Sequence, residues 1–207
     1  MTSAEILSAF ALPEQAFVNQ RIAKKLLLEN GAPTSADKKA INEGIDELTW
    51  AASLKPTTIG VPTFEDAERQ YLEIAVLTVA YREKARCNRL RELIHRAIPY
   101  PVLLIGSDGL LSMAELRHAQ NEAGKTVLDG ELLTVDPTPI HPKLALAQQS
   151  TMNLATLYRS WYSLIIPTVR RAERLAEIEA LRREAAKEPQ LARRVELNLR
   201  IQKLSAE

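Results

Sequence analysis

Residues 96–106 read RAIPYPVLLIG: a tyrosine held between two prolines, then four apolar residues and a glycine. The ring and missing N–H of Pro99 stop a helix and drive the preceding residue to extended geometry. Pro101 keeps the chain extended at the first position of a strand, where it owes no ladder hydrogen bond. Val102 to Ile105 is an unbroken apolar run, the pattern of a strand covered on both faces. The stretch is therefore a helix-to-strand switch, and its neighbours can be read outward from it.

Upstream, YREKARCNRLRELIHRAI (81–98) sets Leu90, Leu93, Ile94 and Ala97 on one side of a helix. Before it, YLEIAVLTVA alternates as a strand with Leu72, Ile74, Val76 and Thr78 on one face, and the β-branched KPTTIGVP predicts another. FEDAERQ between them reads as a loop. Downstream, GSDG (106–109) is turn chemistry, so LLSMAELRHA returns as an antiparallel partner, and VLDGELLTVD adds a strand with a turn or bulge at Asp129 and Gly130. Nearer the start, Asn19 to Gly31 predicts a helix stopped by its glycine. Thr34 and Asp37 predict a capping box for a second, with Ile41, Ile45, Leu48 and Ala52 as its stripe and Trp50 at the core edge.

Three prolines in DPTPIHP (136–142) mark a linker. Beyond it, Leu144 to Ile166 is helical, with Leu154, Leu157, Trp161, Leu164 and Ile165 as its stripe, and Pro167 kinks that helix or starts the next. The following segment has a seam of only Val169, Leu175, Ile178 and Leu181. After Pro189 a last helix offers Leu197, Ile201 and Leu204. So narrow a seam, amid mixed charges, suits pairing with one partner surface. The expected class is α+β: a mostly antiparallel mixed sheet backed by helices in residues 1–136, a proline-rich linker at 137–143, and a C-terminal helical hairpin or short coiled coil in 144–207. Leu175, Ile178, Leu181, Leu197, Ile201 and Leu204 are the expected partner-binding residues.

Composition narrows the function classes. The net charge is +1, so attraction to nucleic acid requires a local patch. Cys87 is the only cysteine, which excludes an internal disulfide and fits a reducing compartment. The start lacks the basic and apolar regions of a secretory signal, and no apolar run approaches the roughly 20 residues of a membrane helix. A cytoplasmic location without membrane contact is expected. His95, His118 and His141 have no metal-ligand spacing, no glycine-rich nucleotide loop occurs, and Ser107 lacks a nucleophile elbow, so no cofactor or metal is expected.

Two constellations remain. Asp108 in the turn and Glu115-Leu116-Arg117 on the next strand resemble the carboxylate pair and E-x-K of Mg²⁺-dependent restriction-type nucleases. Arg117 stands where such enzymes need lysine, and a guanidinium holds its proton near neutral pH. A polar turn followed by an exposed strand face is the preferred reading, with a divergent nuclease as the alternative. In 82–96, six cations stand against Glu83 and Glu92, a solvated face or a phosphate-contacting one in which Arg86, Arg89 and Arg96 would bind nucleic acid.

NQRIAKK, IDELTWAASLKPTTIGVP, LEIAVLTV, RAIPYPVLLIG and KEPQLARRVELNLRIQKL, in this order, resemble a bacterial and archaeal family, domain of unknown function four-three-nine-one. Pro189 and Leu191 depart from the basic and aromatic residues common there. The Arg-His-Ala at 117–119 replaces a strand that often closes on lysine, which puts any role built on that lysine in doubt. The resemblance implies genes that accompany helicase-like and DNA-methyltransferase genes in anti-phage loci. It thus implies a non-enzymatic accessory or adaptor subunit whose partner is a larger helicase- or methyltransferase-type protein, a second copy, or DNA.

Overall fold

The computed structural model describes residues 1–118 and 126–206; residues 119–125 and Glu207 lie outside that description, as do the side chains of Arg117, His118, Thr126 and Ala206. The chain divides into two compact units, Met1–Ile165 and Ile166–Glu207.

In chain order the described elements are α1 (Ser3–Ala9), β1 (Phe17–Arg21), α2 (Lys24–Asn30), α3 (Ser35–Gly44), β2 (Ile45–Leu54), α4 (Pro56–Ile59), β3 (Phe64–Glu65), β4 (Gln70–Tyr71), β5 (Ile74–Tyr81), α5 (Cys87–Ala97), β6 (Val102–Gly106), β7 (Leu111–His118), β8 (Thr126–Val135), α6 (Leu154–Lys187) and α7 (Leu191–Ala206). Six strands form one mixed sheet in the order β1-β2-β5-β6-β7-β8, and β3 with β4 makes a small ribbon. Only β5 and β6 run parallel, because α5 carries the chain from one to the other.

The switch at 96–106 is as its sequence predicts. α5 ends at Ala97 and β6 begins at Val102 with every residue buried. Val102 and Leu104 pack into a core with Leu27 of α2, Ile41 of α3 and Leu90, Leu93 and Ile94 of α5. Leu103 and Ile105 face the other way by strand alternation and are buried as well.

Five local expectations change. The helix expected over Asn19–Gly31 gives up its first part to β1, which pairs with β2 from Phe17↔Ala52 to Arg21↔Thr49, so α2 starts only at Lys24. The second helix has its Thr34 cap, with Oγ1 accepting from the Asp37 amide at 3.1 Å, but it stops at Gly44. A Cβ on Gly44 would lie 2.7 Å from the Leu90 side chain, so any larger residue where α3 passes against α5 would have to displace that buried leucine. Ile45 onward is strand β2; the register shift between Ile45 and Glu47 sets Ile45 and Leu48 on one buried face three residues apart, a helical spacing, and the shift between Trp50 and Ala52 turns the buried Ala52 to the other face. KPTTIGVP is the short helix α4, with Pro56 in its first turn and Gly60 at φ +69° ending it. FEDAERQ holds the β3–β4 turn, whose Asp66 carboxylate accepts from the Glu68 and Arg69 amides at 2.8 and 2.6 Å. β5 begins at Ile74, leaving Leu72 exposed.

The first unit continues past the proline-rich segment into the first turns of α6. Leu154, Leu157, Tyr158, Trp161 and Ile165 are fully buried, and the Trp161 indole donates to the Leu144 carbonyl at 2.9 Å. β6 and β7 pair only at Leu104↔Ser112 and Ile105↔Leu111. Beyond that point the Tyr158 hydroxyl stands between them, 3.0 Å from the Val102 carbonyl and 2.7 Å from that of Ala114, and accepts from the Ala114 amide at 3.1 Å. Pro167 lies inside the continuous helix α6. No helix among the described residues is long and apolar enough to cross a membrane.

Candidate functional site

The carboxyl ends of the parallel strands β5 and β6 meet the 82–86 loop and the 106–109 turn, the position where open α/β sheets place ligands. The group beneath this mouth is Arg91, which is 1% exposed. Its guanidinium bonds the Asp108 carboxylate, donates to Asn88 Oδ1 at 2.9 Å and lies 5.5 Å from the centre of the Tyr81 ring. One turn on, His95 Nε2 is 3.1 Å from Ser112 Oγ. Burial, then the charge of Arg91, pulls its pKa down to about 3, so this imidazole stays neutral at physiological pH. Burial also raises the Tyr81 hydroxyl, which stays protonated near neutrality.

Glu115 lies elsewhere. It is four residues into β7 from Leu111, on the order of 13 Å along the strand from the end that carries Asp108. Its carboxylate meets Arg69 at 3.2 Å and Arg159 at 3.3 Å, while Arg69 also holds Asp129 at 2.6 Å. The structure thus does not bring Asp108 and Glu115 together: Asp108 faces Arg91, and Glu115 faces Arg69 and Arg159. The Arg117 side chain belonging to the same nuclease-like reading lies outside the described residues. Among the described residues, no three His, Cys, Asp or Glu are grouped to hold a metal ion.

Most cations of 82–96 are engaged within the first unit. Arg89 grips Asp37 at 2.8 and 3.0 Å and Glu92 at 2.6 Å, Arg96 meets Glu92 at 2.7 Å, and Arg82 meets Asp46 at 3.3 Å. The Arg89 guanidinium first, and the Thr34 hydroxyl next, hold the Asp37 carboxyl down at about 2. Of the three arginines considered for nucleic acid, Arg86 alone is exposed with no ion pair among the described residues.

In the second unit, α6 and α7 close on a seam of Ile178, Leu181, Ala185, Leu197 and Ile201, with Leu204 packed against it. Arg200 meets Glu177 at 2.6 Å, and Arg193 meets Glu184 and Glu188 at 3.4 Å each. Five of the six residues expected to contact a partner therefore contact each other, and Leu175 is 53% exposed. Sequence reasoning missed Leu191, Val195 and Leu199, large apolar side chains left exposed on α7. Their spacing of four and four was the available signal.

A family model, Domain of unknown function (DUF4391), matches residues 10–207. No curated protein and no solved structure matches the chain.

Proposed function

The chain belongs to the DUF4391 family, and on that premise we propose that it is a non-enzymatic adaptor subunit of a cytoplasmic, prokaryotic DNA-processing defence complex. Its C-terminal helices join it to a larger helicase- or methyltransferase-type protein. The observation that carries this reading is residue 166–207 itself: a separate two-helix unit that closes its own seam and still presents Leu175, Leu191, Val195 and Leu199 to solvent. Exposed apolar side chains grouped on one small unit mark interaction surfaces. The acidic residues that could run hydrolysis, Asp108 and Glu115, are each neutralised by arginine, which favours assembly over cleavage.

The test is a tagged purification from the native host at low salt, with bound proteins identified by mass spectrometry and the eluate assayed for nucleic acid. A helicase- or methyltransferase-type protein is expected with the full chain and not with a chain lacking residues 172–207, while the remaining unit keeps its cooperative unfolding. An unchanged complex after that deletion would sink the reading. Cleavage of DNA with Mg²⁺ that disappears in Glu115→Ala would replace it with the nuclease alternative.

A further inference from the structure

Leu191, Val195 and Leu199 recur every fourth residue on α7 and are 66%, 49% and 60% exposed. At 3.6 residues per turn, Val195 lies about 160° around the helix from Leu197 of the seam. α7 is therefore apolar on two opposite sides, and only one is covered by α6. The uncovered side carries Ala192, Asn198 and Gln202 and no charge. Arg194 and Lys203 border it on its two flanks, both exposed and neither in an ion pair among the described residues.

We propose that this outer face of α7 is the docking surface, and that its occupant is an apolar groove with an acidic rim on a different protein. The inference rests on the adaptor reading and moves the contact from the seam to the opposite side of the helix. A second copy fits poorly for two reasons. The three side chains expose on the order of 300 Å², so a symmetric pair of them buries about 600 Å², half of the roughly 1,200 Å² at the lower bound of specific interfaces. Residues 166–207 also carry ten Lys and Arg against seven Glu, an excess of like charge that disfavours packing against its own copy. A groove instead wraps the stripe and its flanks together, reads anchors at i, i+4 and i+8, and meets Arg194 and Lys203 with carboxylates.

The test places a photo-crosslinking benzoylphenylalanine at Leu199 in the full chain, in cells of its host, followed by irradiation and identification of the adduct. The crosslinked protein is then purified, and its Kd for wild-type, Val195→Glu, Arg194→Glu and Lys203→Glu chains is measured at two salt concentrations. A single protein adduct is expected. Val195→Glu should weaken binding at least tenfold with helical content unchanged, and each charge reversal should weaken it with a flatter salt dependence. An adduct with the chain itself or with nucleic acid overturns the proposal, as does an affinity indifferent to Val195→Glu. No adduct at Leu199 while low-salt purification still recovers a partner leaves the adaptor reading standing and removes this surface from it. A chain that recovers no partner at all sinks both.

Discussion

α5 and α7 are both arginine-bearing helices with an apolar side, and they use these features in opposite ways. On α5, Arg89, Arg91 and Arg96 reach acids of their own unit, and Leu90, Leu93, Ile94 and Ala97 vanish into the sheet. On α7, Arg193 and Arg200 lock the hairpin, but Arg194 and Lys203 have no ion pair among the described residues and stand beside three exposed apolar side chains. Cation content alone therefore does not mark a binding helix. What distinguishes the two is whether the charges and apolar groups already have partners inside the fold.

The sharpest way to break this comparison is at Arg91. Arg91→Leu removes the partner of Asp108 and the bond to Asn88, and should lower stability by about 3 kcal/mol, the lower end for breaking a buried pair because Asp108 retains some solvent. Urea unfolding of the full chain measures it, and a loss under 1 kcal/mol would make α5 as loosely held as α7. Leu197→Ala should cost about 2 kcal/mol and be read in the hairpin, as lost helical ellipticity and faster proteolysis after residue 170, with the first unit's transition unmoved.

The pH dependence sharpens the contrast further. The Asp37 carboxyl titrates at about 2 folded against 3.8 as its ordinary value, so its stabilising effect is complete above that ordinary value and lost as pH falls from about 4 toward 2. The urea midpoint of the wild type should converge on that of Asp37→Asn over this window. A gap unchanged from pH 5 to 2 would show that the Arg89 contact contributes nothing. The smallest effect belongs to the outer face of α7: Leu199→Ala should leave thermal stability within about 0.5 kcal/mol of wild type, since that side chain is mostly exposed.

The sequence was most legible where covalent chemistry dictates geometry. Pro99 and Pro101 set the helix-to-strand switch, and the apolar periodicity of 90–97 and 102–105 marked the two elements that the core is built on. It was least legible at β2, where a bulge places Ile45 and Leu48 on one face three residues apart and so mimics a helix, and at β1, whose strand exists only because β2 offers it an edge. Candidate residues followed the same rule. Asp108, Glu115 and Arg89 were visible as charges, but their partners Arg91, Arg69 and Asp37 lie 17, 46 and 52 residues away, a distance no local pattern reports. The exposed face of α7 could have been read from spacing, yet nothing in the sequence says which of two apolar sides its neighbour will cover.

The Tyr158 hydroxyl between β6 and β7 also sets an order of events. Two strands joined by a four-residue turn would ordinarily zip shut on their own, but here the last contacts are made by a side chain 44 and 56 residues further along. A nascent chain that has emerged only to Val135 has every strand of the sheet and still lacks the group that fills this gap. The Ala114 amide should therefore gain protection from deuterium exchange late, when α6 arrives, and so serve as a clock for the closing step of folding.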